Sequence, residues 1–163
     1  MEWKKPYQVL DLVPHSDERG TLFEVIRFQD FDIPGGGQIY TFSINPHKRR
    51  GDHYHHKKEE WFTCVAGKAV ILLSTVDGKE NKVIELSAAE PKLVYAPAGT
   101  THALINQDDT EVAVLVSYGT TQHDDNEIDT FYKKACEDLD IKLEHYAYKD
   151  HRNIPFPVWF SLL

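Results

Sequence analysis

The residues with the most chemistry lie in one short run, RGDHYHHKKEEWF, residues 50–62. It packs three histidines into four positions and follows them with two glutamates. Successive residues of a strand face opposite sides, so His53 and His55 share one face while Tyr54 and His56 take the other. Two imidazoles side by side can reach one cation, with nitrogen ligands about 2.0–2.1 Å from zinc. Glu60 stands at odd spacing from His55 and joins them only if the chain turns or bulges across His56–Glu59. A second segment, PAGTTHALIN at 97–106, adds His102 at the start of a strand that leaves a Pro97-Ala98-Gly99 turn. Three histidines and one carboxylate from two segments make a donor set for zinc, iron, manganese, nickel or copper.

The elements that must position these groups read as short strands. TLFEVIRF (21–28) and QIYTFSIN (38–45) alternate and are rich in branched and aromatic residues, with the flexible IPGGG turn between them. EEWFTCVAGKAVILLSTV (59–76) breaks near Ala66-Gly67 into two strands. Asp77-Gly78 is a hairpin signal returning into NKVIELS (81–87). KLVYAPAG (92–99) and EVAVLVSYG (111–119) complete the run. Strands at this spacing, separated by turn residues, predict an antiparallel sandwich or barrel. The spacing of Ile128, Phe131, Tyr132, Ala135 and Leu139 predicts one helix over 125–141. Beyond it the aromatic-rich tail contains IPFPVWF, where Pro155 and Pro157 exclude a central strand. Phe156, Trp159 and Phe160 are expected in the core or at a dimer interface.

At 163 residues, with 41% hydrophobic and 27% charged content, the chain is sized and composed for one domain, 1–163. A net charge of −8 argues against a general nucleic-acid binder, which needs a basic face. Cys64 and Cys136 lie far apart without a CxxC pattern; Cys64, within WFTCVAG, reads as a small buried hydrophobe. No apolar run is long enough to span a membrane, and MEWKKPYQVL lacks a signal-peptide core. A cytoplasmic location is the expectation.

Taken together, HxHxxxxExxxxxxG at His53, His55, Glu60 and Gly67 resembles the first motif of the cupin family. PxGxxHxxxN at Pro97, Gly99, His102 and Asn106 resembles its second. His47 and Pro91 replace the glycines that open the two family motifs, which affects loop geometry and leaves the ligand set intact. The resemblance implies an all-β jelly-roll barrel with the site in its mouth, a core over 13–132, and the helix and tail as additions over 125–163. HSDERGTLFEVIRFQDF (15–31) followed by RRGDHYHH (49–56) further resembles the sugar-nucleotide cupins. These include dTDP-4-dehydrorhamnose 3,5-epimerases, 3,4-ketoisomerases and the cupin domains of capsular polysaccharide enzymes, the last being most similar.

That resemblance implies an epimerase or ketoisomerase of an NDP-4-keto-6-deoxy sugar, working as a homodimer. A ketone acidifies hydrogens on neighbouring carbons, so the reaction needs a base, enolate stabilisation and an acid. By resemblance, His53 stands at the base position, and Arg50 with Arg19 stands near the nucleotide phosphates, or else these arginines pair with neighbouring carboxylates. His53 cannot ligate a metal and act as free base with the same lone pair. With His55, Glu60 and His102 present, a divalent metal (zinc, manganese, iron or nickel) is the expected cofactor. Proton transfer then passes to a tyrosine or free histidine: Tyr40, Tyr54, His56 or Tyr118. A metal-dependent cupin of another class, such as a dioxygenase or sugar isomerase, and a non-catalytic sugar-binding cupin remain open alternatives.

Overall fold

The computed structural model describes residues 10–122, 129–133 and 135. Eleven strands lie among these residues. They are β1 (His15–Asp17), β2 (Gly20–Arg27), β3 (Gln38–Ile44), β4 (Arg49–Tyr54), β5 (Glu60–Ala66), β6 (Lys68–Thr75), β7 (Asn81–Ser87), β8 (Val94–Ala96), β9 (Thr100–Ile105), β10 (Ala113–Gly119) and β11 (Phe131–Tyr132). A short 3-10 turn, Phe28–Phe31, follows β2. The strands form a six-stranded sheet in the order β1-β2-β3-β10-β5-β8 and a five-stranded sheet in the order β11-β4-β9-β6-β7. All pairings are antiparallel, as expected for a jelly roll.

Period-two patterning builds the core between the sheets. Phe42, Ile44, Phe62, Cys64, Ile71, Leu86, Leu104 and Leu115 point inward from both sheets and are almost wholly buried. Cys64 is therefore the buried hydrophobe its context predicts. A second cluster, Leu72, Ala103 and Ile105, lies on the opposite face of the five-stranded sheet and is buried with Ala135. Asn106 fixes the turn after β9: its amide donates to the carbonyls of Ile44 and Glu111, and its oxygen accepts from the Asp108 N–H.

The helix expected over 125–141 is not formed where its residues are described. Phe131 and Tyr132 instead pair antiparallel with Tyr54 and His53 as β11. Aromatic residues suit strands, and β4 offered an unpaired edge on the side away from β9; tertiary pairing outweighed the helical spacing. The remainder of that segment and the tail 142–163 lie outside the described residues.

Candidate metal centre

One irregularity in β4 turns its histidines into the barrel. Arg50 pairs with Leu104 and Gly51 with Ala103, but His53 pairs with His102, leaving Asp52 as an extra residue. Gly51 and Asp52 both take positive φ, 94° and 60°. The bulge reverses the inward and outward alternation beyond it, so His53 and His55 face the interior instead of the outer surface. Asp52 stays outside, where its carboxylate binds the Arg49 guanidinium and accepts the Ala135 N–H at 2.9 Å. The chain then crosses to the other sheet through residues 55–59 and begins β5 with Glu60.

The result is a cluster of His53, His55, Glu60 and His102 whose ligand atoms all lie within 4.8 Å of one another. His53 and His102 come from the five-stranded sheet and Glu60 from the six-stranded one. The His53 ring stands 4.6 Å from that of His102 and 5.0 Å from that of His55. Glu60 Oε2 lies 3.2 Å from His55 Nε2 and 3.1 Å from His102 Nε2. Its other oxygen, Oε1, accepts the Tyr40 hydroxyl at 2.7 Å and pairs with Lys58 Nζ at 3.0 Å.

The polar atoms of the cluster fit a bound cation. His55 Nδ1 meets the Asp129 carbonyl at 2.5 Å, which orients the ring with Nε2 toward Glu60. Nε2 faces the Glu60 Oε2 atom, a contact that an imidazole proton or a bound cation satisfies equally. His55 Nε2, Glu60 Oε2 and His53 Nδ1 are all buried without a hydrogen-bond partner, a costly state for unfilled sites. Burial and the neighbouring His102 and His55 hold His53 well below the ordinary histidine range, which keeps it neutral with a lone pair to give. Burial pushes the Glu60 carboxyl up, but Lys58, His102 and His55 outweigh it and hold it well below the carboxylate range. Burial and the Glu60 charge push Tyr40 well above the usual phenol range, so it stays a donor.

The other expected site residues divide. Tyr40 is drawn in, through Glu60. Tyr118 is not: Ser117 takes the inward position on β10, and Tyr118 packs outside against Phe28 and Trp61 at 6.0 and 5.5 Å. Tyr54 and His56 face outward and pack on Phe131. Arg19 and Arg50 both engage Asp17, Arg19 through its Nε at 3.0 Å and Arg50 through an ion pair at 3.8 Å. Burial, with Arg19 nearby, lowers Arg50 to about 10. Three further positions that contact the cluster escaped the spacing argument. Tyr132 stands perpendicular to His53 at 6.1 Å, Lys58 pairs with Glu60, and Asp129 caps the loop carrying His55. The β-compatible pair Phe131-Tyr132 and the lysine two residues before Glu60 were the available signals.

Against known proteins, a model described as the polysaccharide biosynthesis C-terminal domain matches residues 15–131. The chain is 29% identical over 106 residues to the UDP-2-acetamido-2,6-beta-L-arabino-hexul-4-ose reductase of Pseudomonas aeruginosa, covering 65% of this chain and 27% of that protein. It is 25% identical over 130 residues to the spore coat polysaccharide biosynthesis protein SpsL of Bacillus subtilis, covering 74% and 86% respectively. Among solved structures it is similar to the capsular polysaccharide assembling protein CapF from Staphylococcus aureus. There the identity is 30% and the TM-score 0.70, with 78% of this chain and 33% of that one covered. The chain thus spans about a quarter to a third of the reductase and of CapF. Oxalate decarboxylase from Bacillus subtilis shares the cupin jelly-roll fold at a TM-score of 0.61 and 19% identity.

Proposed function

The chain belongs to the polysaccharide biosynthesis C-terminal domain family, and from that premise we propose an enzyme of surface-polysaccharide biosynthesis that isomerises a nucleotide-linked 4-keto sugar. The observation that carries this reading is the buried His53, His55, Glu60 and His102 cluster, with its unpartnered lone pairs, in a family tied to polysaccharide assembly. The reductase relative is named for a UDP-linked 4-ulose, which supports a UDP-linked, 4-keto, 6-deoxy sugar as the substrate class.

In this reading His53, His55, Glu60 and His102 hold a divalent ion such as zinc, manganese, iron or nickel. When bound, such an ion supplies Lewis-acid polarisation of a ketone. His53 serves as a ligand and not as the free base. Tyr132, beside His53, is the side chain we assign to exchange a proton with the carbon next to the ketone. Arg19 and Arg50 offer guanidinium groups for phosphate oxygens, in competition with Asp17. Assembly as a homodimer belongs to the same proposal; the exposed Leu10, Val13, Val25 and Phe31 support it, and sedimentation at micromolar concentration tests it, a purely monomeric chain being the contrary result.

Solvent-deuterium incorporation tests the reaction. UDP-linked and dTDP-linked 4-keto-6-deoxy sugars are incubated in D2O with the chain purified without chelator, and examined by mass spectrometry. Label entering beside the ketone, and lost in Tyr132→Phe, is the expected result. Label that persists in Tyr132→Phe removes that residue's role, and no exchange with any of these sugars overturns the isomerase reading.

A further inference from the structure

Glu60 reaches the cluster with its two oxygens in different states. Oε1 is filled: the Tyr40 hydroxyl donates to it at 2.7 Å and the Lys58 ammonium pairs with it at 3.0 Å. Oε2 has no hydrogen-bond partner and looks toward the Nε2 atoms of His55 and His102. The two donors come from different places, Tyr40 from β3 and Lys58 from the loop before β5. Each also has packing of its own. The Tyr40 ring stacks on Phe42 at 5.9 Å, and the Lys58 stem packs across Gly119, with its Nζ 5.8 Å from the Tyr40 ring centre. The Glu60 side chain is 2% exposed and that of Lys58 14%, so water has little access to the accepting carboxylate.

From this arrangement we infer that Tyr40 and Lys58 form a clamp that occupies one oxygen of Glu60 and confines that carboxylate to giving the metal a single oxygen. The inference rests on the metal reading of the cluster. A free carboxylate beside a cation can supply one oxygen or two. Here the second is committed before any ion arrives. The protein then contributes three nitrogens and one oxygen, and the remaining positions on the ion stay open to water or to substrate oxygens. Tyr40 and Lys58 are positioning residues in this scheme, because they act through Glu60.

Cobalt(II) added alone is a suitable probe, since its visible absorption reports coordination number. Tyr40→Phe, Lys58→Met and the double variant are each titrated with cobalt(II) and compared with the unaltered chain, with circular dichroism as the check on folding. In the double variant Oε1 is released, Glu60 chelates, and the visible bands weaken as coordination rises. Each single variant, which keeps one prong, gives a smaller loss. A double variant that binds cobalt(II) with an unaltered spectrum overturns the clamp while leaving the metal reading in place. Failure of the unaltered chain to give any cobalt spectrum overturns the metal reading, and the clamp with it. Should the double variant not fold, Tyr40→Phe, which keeps the ring on Phe42, decides the matter: an unaltered spectrum there counts against the clamp.

Discussion

Asp17 holds both Arg19 and Arg50, and its titration should be visible in stability. Burial pushes its carboxyl up, but the hydrogen bonds and charge of Arg19, with Arg50 behind, outweigh that and hold it below the usual carboxylate range. A carboxyl depressed on folding adds stability above its unfolded pKa and loses it as pH falls through the folded value. The unaltered chain should therefore lose stability below about pH 4, and Asp17→Asn should flatten that acid limb in denaturant titrations between pH 2 and 6. The same variant should cost about 1–3 kcal/mol at pH 7, since it weakens charged hydrogen bonds. At this scale the sequence was legible wherever residue type and spacing were enough: His53, His55, Glu60 and His102 meet as the two motifs implied. It failed for Tyr118, because spacing names a tyrosine near the site without saying which face of β10 it takes. Ser117, 1% exposed, holds the inward position instead.

Among the elements, the bulge in β4 decides where the histidines point, and no spacing rule in the chain announced it. Gly51-Asp52 reads as an ordinary polar pair; only the pairing of His53 with His102 reveals the extra residue. A Cβ on Gly51 would meet the His102 carbonyl oxygen at 2.7 Å, and φ at this position is 94°. Gly51→Ala should cost about 1–2 kcal/mol or more from the left-handed conformation alone. It should also disturb cobalt(II) binding, because the clash falls on the backbone of a ligand; thermal melts with and without cobalt(II) measure both. The hairpin through Asp77-Gly78 needed only local turn chemistry and formed as expected. Helical periodicity misled over Phe131 and Tyr132, where the competing partner, the free edge of β4, is remote in sequence. That misplaced strand matters for the site. The Asp129 carboxylate accepts the N–H groups of His56, Lys57 and Lys58 at 2.8–2.9 Å, while its carbonyl meets His55 Nδ1. Asp129→Ala keeps the carbonyl but releases the loop that aims it. Metal affinity measured by chelator competition should fall about 10-fold or more.

In the whole molecule the cluster is a joint between the two sheets as well as a site. His53 and His102 pair across β4 and β9 of one sheet, while Glu60 begins β5 of the other, and Phe62 of the core lies against His102 with ring centroids 5.2 Å apart. Separating the sheets must pull Glu60 away from the imidazoles, so an ion held by all four residues cannot survive unfolding. Binding to the folded chain alone stabilises it by about 2.7 kcal/mol when free metal is 100 times its Kd. For a chain of this length that corresponds to a rise of roughly 5–10 °C in Tm. Zinc or cobalt(II) should raise Tm by that order, EDTA should reverse the rise, and Glu60→Gln should remove most of it while His56→Ala, on the outward face, should not. The contrast between those two variants separates an internal centre from loose capture by surface histidines, because His56 belongs to the same histidine-rich run yet points away from the barrel. A rise that survives Glu60→Gln and disappears in His56→Ala would move the metal to the surface and leave the buried lone pairs of His53 and His55 unexplained.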